Sequence, residues 1–493
     1  MLRALQRPIA LILLPLTLAS SSGCTSVHRV PATEAAPPTR DRLVGVTTID
    51  GRELKFDRTA AVRGDTVHAT VKHRSVAVPV DSVQRWWLRR TDAGKSVLAV
   101  LGVAAGVVLA AGVIAAATKE SCPFIYSWDG THYVFEAEPY GGAISQGLER
   151  DDYGVLPTVR DVGGAYRLLV TNEVNETQMT NLFELWAVDH ARGLRIVPDE
   201  WGGLHTIARP VPPSSALDQT GKDLLPWLSA DDRRIWEPLP VPDSAGGLRD
   251  VVVLTFPRPA GAVRGKLVAR VGTGLWGSHM IRSLLELRGN AVDDWYARLD
   301  ADSSEVNRVR AWAVKEALYG LPLQVEEQGG WQVRGVVPGS GPFLAAERVI
   351  PLDLGAVRGD SVRIRLAVPR GFWALNAFAM DYSADQPMTV DTIAPRAASD
   401  SAVLAAVTAA DTSYYAMPHN GDRATLEFAA PPVPAGRTRT VVLHSRGWYR
   451  LHLTPAGPPD TAMARRVLEV PGAVVQYSAS LYRQWPMALR HPR

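Results

Sequence analysis

The sequence predicts a mainly β protein built from a small N-terminal β unit, one apolar membrane-type helix and β-sandwich-like domain(s) carrying a helical insert. Three observations predict it. Short alternating runs broken by Asp-Gly, Gly-Asp and Pro-rich turns recur through most of the 493 residues. Residues 97–117 hold no charged side chain. Helical periodicity is concentrated at about 278–320, in two runs that stop at Gly289 and Gly320. With 46% hydrophobic and 21% charged residues the chain is globular in composition and long enough for two or three domains. A formal charge of +3 argues against nucleic acid as a partner, which needs a concentrated basic face.

Residues 1–23 read as a signal peptide. Arg3 and Arg7 precede the apolar run Ile9–Ala19, and small residues lead into Cys24. This ending is similar to the lipobox of bacterial lipoproteins, which implies cleavage before Cys24 and lipidation of its thiol. Ser21 departs from the usual aliphatic residue three before the Cys, and an ordinary signal with an incidental Cys is the alternative. Thr25 in place of Asp after the Cys points by resemblance to the outer membrane. Residues 24–42, rich in Pro, Thr and Ala, are expected to form a lipidated flexible tether. Cys122, the second of two cysteines, is then left without an intrachain partner, and a buried inert thiol is expected.

Residues 43–92 are expected to form the small β unit, with strands at Leu43–Ile49, Glu53–Phe56, Thr66–Lys72, Ser75–Pro79 and Ser82–Arg89. Trp86 and Trp87 alternate on the last strand, so one should cap the core and the other face outwards. His68 and His73 are expected on strands, as isolated histidines and not as metal ligands. The run 97–117 would be about 31 Å long as a helix, the thickness of a bilayer core. Gly102, Gly106 and Gly112 would allow close helix packing within a membrane or an oligomer. A helix buried in the protein is the alternative.

From residue 120 to 493 the chain turns to strands. Ser121–Gly130 and then Thr131–Glu136 read as two strands around an Asp129-Gly130 turn. Tyr166–Asn172, Asn181–Asp189, Val349–Leu354, Ser361–Val368 and Trp373–Tyr382 alternate similarly. A short helix is expected near Asp223–Leu228, and longer ones at Ser278–Arg288 and Ser303–Tyr319, the last capped by Asp302. Arg249–Phe256, a Pro-rich loop and Lys266–Val271 are echoed by Asp422–Phe428, a second Pro-rich loop and Thr440–His444. Two ordinary strand–loop–strand units explain the echo most simply; a duplicated sandwich edge is the alternative.

Ser121–Gly130, Tyr133–Phe135, Glu138-Pro-Tyr-Gly-Gly142, Leu148–Asp152, Leu169–Val174 and Thr180–His190 together resemble a group of uncharacterised bacterial envelope lipoproteins. That resemblance implies the architecture described above and no activity.

No metal, phosphate or nucleophile motif is present, so neither cofactor, metal site nor catalytic residue is assigned. Gly339-Ser340-Gly341 reads as a turn. The densest polar group is Glu136, Glu138, Glu149, Asp151 and Asp152 beside Tyr140, a candidate ligand site on loops, for which an ordinary solvated surface is the alternative. Three functions are weighed: a structural or interaction lipoprotein, partnered by membrane lipid and envelope proteins or by itself; a glycan- or peptide-binding sandwich; and a hydrolase. A glycan binder should show a cleft lined by Tyr140, Trp201 or Trp373.

Overall fold

The computed structural model describes residues 25–31, 43–57, 60–63, 65–91, 123–232, 234–341, 345–454 and 457–484. They fall into two compact units, one within the first 113 residues and one beyond. The expected signal peptide, Cys24, the apolar run 97–117 with Gly102, Gly106 and Gly112, and Cys122 lie outside the described residues. Among the described residues no helix is long and apolar enough to cross a membrane.

In the first unit, strands β1 (Thr25–Pro31), β2 (Leu43–Thr48), β3 (Glu53–Lys55), β4 (Ala61–Arg63), β5 (Thr66–Val71), β6 (Arg74–Pro79) and β7 (Val83–Thr91) form two antiparallel sheets. Their orders are β1-β7-β2-β3 and β4-β5-β6. Leu43, Val46, Phe56, Val67, Val78 and Trp86 fill the core. Three expectations are corrected here. Residues 25–31, placed in the tether, pair with β7 from Thr25↔Thr91 to Pro31↔Arg85. Trp87 is buried like Trp86: its ring lies over Gly45, where a Cβ would come within 2.6 Å, and its Nε1 donates to Thr47 Oγ1 at 2.9 Å. His73 stands in the β5–β6 turn at φ 64°, not on a strand, and its N–H donates to Asp57 at 2.7 Å.

The large unit opens with β8 (Phe124–Trp128), β9 (Tyr133–Ala137), β10 (Arg150–Val155), β11 (Ala165–Thr171) and the long β12 (Glu176–Ala191). The hairpin β13 (Arg195–Pro198) and β14 (Leu204–Ile207) follows, then β15 (Ser215–Asp218), a short α1 (Leu225–Leu228), β16 (Arg249–Pro257) and β17 (Arg264–Thr273). Three helices come next, α2 (Leu275–Glu286), α3 (Val292–Ala301) and α4 (Ser303–Glu316). Strands β18 (Gly320–Glu327), β19 (Gly330–Pro338), β20 (Ala346–Asp353), β21 (Ser361–Pro369) and β22 (Trp373–Asp381) complete the middle of the chain. The rest is β23 (Thr389–Ile393), β24 (Pro395–Ala398), α5 (Ser401–Ala406), β25 (Tyr415–Met417), β26 (Arg423–Ala429), β27 (Arg437–Leu451), α6 (Thr461–Glu469) and α7 (Ala473–Gln484).

The sheets pack as two sandwiches. In the first, β10-β27-β12-β23 faces β24-β26-β11-β8-β9 across Ile125, Leu168, Phe183, Leu426, Phe428 and Leu443. In the second, β15-β16-β21-β18-β19 faces β20-β17-β22 across Leu254, Phe256, Leu267, Ile364, Leu375 and Phe378. Strand alternation explains the division: in β16, Val252, Leu254 and Phe256 are buried while their neighbours are half-exposed. Both echoed segments prove to be arches. Each carries the chain through a Pro-rich loop from one sheet of a sandwich to the facing sheet, β16 to β17 and β26 to β27.

The helices depart from expectation in number and place. Asp302 does cap α4, accepting from Ser304 N at 2.8 Å, but the helix stops at Ala317 in the left-handed region (φ 56°), and Gly320 already begins β18. Sequence reading missed α3, α6 and α7. Trp295, Tyr296 and Leu299 of α3 pack on Tyr140, Leu148 and Trp448, while Trp276 Nε1 of α2 donates to Ser478 Oγ of α7 at 2.8 Å. The helical layer is thus built into the core. The hairpin β13–β14 is a wedge: Ile196 and Leu204 pack against Val188 and Val442 of the first sandwich, and Val197 and Ile207 against Val268 and Val349 of the second.

Candidate functional site

Beside this wedge a cleft of about 530 Å³ opens between the sandwiches. It is bordered by β9, β10 and β20, and each of the three stands at the edge of its sheet. An edge strand presents backbone N–H and C=O groups that its own sheet does not use. The cleft is lined by cations and anions together, Arg160, Arg195, Arg270 and Arg348 against Glu136, Glu138, Asp152 and Glu347.

Asp152 organises the floor. Its Oδ2 accepts from Arg150 Nη2 at 3.0 Å and from Tyr140 N at 3.1 Å, and its Oδ1 from Arg348 Nη2 and Tyr153 N, both at 2.8 Å. Burial alone would raise its pKa, but the two guanidiniums and the backbone N–H of Tyr140 hold the carboxyl below the usual range. Burial lowers Arg348 in turn, with Asp152 pulling it back up. Glu136 is pushed up by burial, against the pull of Ser127, Thr158 and Arg160. The Ser127 hydroxyl donates to Glu136, and Thr158 N donates to its Oε1 at 2.6 Å. Glu138 lies over Gly341, where a Cβ would sit 2.6 Å from Glu138 Cβ. Close approach, not nucleophile geometry, therefore accounts for the Gly-Ser-Gly segment; the Ser340 hydroxyl donates to Val271 O at 3.0 Å.

The acidic group expected from sequence is divided by the structure. Glu136, Glu138 and Asp152 line the cleft. Residues 150–155 form strand β10 and not a loop, so neighbouring side chains point to opposite faces. Asp151 thus sits away from Asp152, its Oδ1 2.9 Å from His444 Nε2, while Glu184 Oε1 lies 2.7 Å from His444 Nδ1. The His444 ring stacks on Tyr153 at 4.7 Å. Burial and the carboxylates of Asp151, Asp152 and Glu184 push the Tyr153 hydroxyl up to about 12. Glu149 accepts from Arg446 Nε at 3.1 Å. Tyr140 is fully buried with φ 70°, a left-handed backbone rare outside glycine, and serves as a packing residue under the cleft.

The aromatic cleft expected of a glycan binder is not formed by the residues named for it. Tyr140 and Trp373 are buried, and Trp201, 83% exposed on the β13–β14 turn, is not among the cleft-lining residues. Arg348, Arg270 and Glu347 escaped sequence reading because they lie on β17 and β20, more than a hundred residues from β10, in alternating strands like any other. Among the described residues no group of His, Cys, Asp and Glu is arranged to hold a metal ion.

No protein-family model matches the chain, and comparison with curated proteins gives no match. Among solved structures, a β-porphyranase of glycoside hydrolase family 86 from Bacteroides plebeius aligns with 53% of the chain at 7% identity and a TM-score of 0.14. The mycobacterial arabinofuranosyltransferase AftD aligns with 88% at 11% identity and a TM-score of 0.17. The chain covers 39% and 32% of those two proteins' lengths, and neither likeness extends to a shared fold.

Proposed function

We propose that this chain is a non-enzymatic lipoprotein of the cell envelope, associated with the outer membrane through Cys24, whose large unit binds an extended peptide segment of a protein partner. One observation carries the binding role: three sheet-edge strands, β9, β10 and β20, border a single cleft. An extended peptide laid along such an edge gains backbone hydrogen bonds, and the alternating charges of the walls select its side chains. The cleft volume of about 530 Å³ fits a few residues. A hydrolase is less well supported, because Asp152 and Glu136 are each held by donors of the fold itself. The lipoprotein part rests on the signal-like order ending at Cys24.

The test uses the full chain in mild detergent against arrays of extended peptides and of oligosaccharides. Peptides should bind, and N-methylation at alternate backbone positions should abolish binding while the intervening positions tolerate it. Binding of glycans alone, or indifference to N-methylation, refutes the peptide reading. Intact mass decides the anchor: a mature protein that retains residues 1–23 removes it.

A further inference from the structure

A second concavity, of about 560 Å³, lies in the helical layer between α3, α4 and α6. Arg288, Arg298, Arg308, Lys315 and Arg465 converge on it, with Trp312 and Leu468 on its floor and Glu469 as the only carboxylate in the lining. These cations come from four different segments. Arg298 and Lys315 occupy the last turns of α3 and α4, where a cation also complements the helix dipole. Arg288, just past the C-cap of α2, has the same reason, whereas Arg308 and Arg465 stand inside their helices and do not.

The surrounding groups neutralise little of this charge. Arg308 Nη1 donates to Glu305 at 3.1 Å, Lys315 Nζ reaches the backbone oxygen of Glu469 at 3.4 Å, and Arg288 lies over the Trp295 ring at 4.7 Å. Among the described residues Arg298 and Arg465 make no ion pair and both are exposed. The Trp312 ring is fixed by its Nε1 donating to Val467 O at 2.9 Å. Four guanidiniums and an ammonium around one hollow repel one another, and the repulsion is relieved by an anion that several of them share. Guanidinium forks match the tetrahedral oxygens of phosphate, and a multiply charged group answers a cluster of this size.

We infer that this groove binds a phosphate-bearing polyanion, a site separate from the inter-sandwich cleft and independent of what the cleft binds. The phosphate comes either from a soluble ester or from a lipid headgroup, whose acyl chains would meet the apolar floor.

The full chain in nonionic detergent is titrated by calorimetry at low salt with tripolyphosphate, with dihexanoyl phosphatidic acid and with dihexanoyl phosphatidylcholine. Tripolyphosphate should bind, and R298Q/R465Q should weaken it at least tenfold. R192Q/R209Q, which removes the same charge from exposed positions elsewhere, should stay within twofold of the parent. Phosphatidic acid that binds and is displaced by tripolyphosphate identifies a lipid headgroup as the source; tripolyphosphate binding without phosphatidic acid identifies a soluble ester. Absence of tripolyphosphate binding, or equal loss in both double variants, overturns the inference. So does equal binding of phosphatidylcholine and phosphatidic acid, which would mark simple apolar adsorption.

Discussion

Asp152→Asn keeps the shape of the side chain and removes the charge that two guanidiniums share. In the parent, Asp152 receives four hydrogen bonds, from Arg150, Arg348, Tyr140 and Tyr153, and its side chain is only 11% exposed. The amide can accept through one oxygen only, and its NH₂ group faces donors. Arg348, with 10% of its side chain exposed, loses the carboxylate to which it donates. Breaking one side of a buried pair costs about 3–5 kcal/mol, and the one-third exposure of Arg150 favours the lower end. For a protein of this size, with a urea m-value of about 3 kcal/mol/M, a loss of about 3 kcal/mol moves the unfolding midpoint down by about 1 M. Urea unfolding followed by tryptophan fluorescence at pH 7 reads this directly. Glu427, half-exposed at the surface between Arg396 and Arg167, supplies the comparison: Glu427→Gln should cost about 1 kcal/mol or less. The pH dependence follows from the lowered carboxyl. Its stabilisation is complete above the unfolded value of about 3.9 and is lost as pH falls through the lower folded value, so the gap between parent and variant should close only in strong acid. A midpoint shift no larger than that of Glu427→Gln, or a gap that already closes near pH 6, would refute the assignment of Asp152 as the charged centre of the cleft.

Gly447→Ala should be costly although it adds one methyl group. Its Cβ would lie 2.3 Å from Met179 O and 2.8 Å from the Tyr140 ring, both fixed by the ladder and the core, so a loss of about 3 kcal/mol in the same unfolding assay is expected. His279, drawn down to about 4 by burial and by Arg282, is neutral in the folded protein. Because the unfolded imidazole titrates near 6.5, the contribution is full above that value and falls as pH drops towards 4. Stability measured at pH 5 against pH 7 should therefore fall by about 2 kcal/mol more in the parent than in His279→Phe, and the His279 ring signals should not titrate above pH 5.

Much of the fold could be read in the sequence because strand alternation and turn chemistry are local. Asp129-Gly130 makes its turn with Gly130 at φ 104°, and Asp129 Oδ1 accepts the N–H groups of Thr131 and His132 at 2.7 and 2.8 Å, bonds that span three residues. The same locality exposed β16, β21 and β22 nearly to their ends, and the cap of α4. Helices α3, α6 and α7 were harder to read because their apolar faces meet partners supplied from distant segments, as Trp276 meets Ser478. Alternation allows one buried face and so predicts one outward ring for Trp86 and Trp87, whereas a glycine on the neighbouring strand gives the Trp87 ring a second surface to cover.

What the sequence by itself determined, then, is the β character, most strand positions and the carboxylates worth watching, since these depend on contacts within a few residues. Only the tertiary structure decided what those carboxylates do. It set Asp151 and Asp152 on opposite faces of one strand, gave the first to His444 and the second to Arg348, and buried Tyr140 beneath them. The cleft exists because β9, β10 and β20 bring their edges together from segments separated by as much as about two hundred and ten residues. The basic groove likewise exists because α6 returns to α3 and α4 with Arg465. Such juxtapositions are set by how sheets and helices close over their cores, and no pattern within a single segment encodes them.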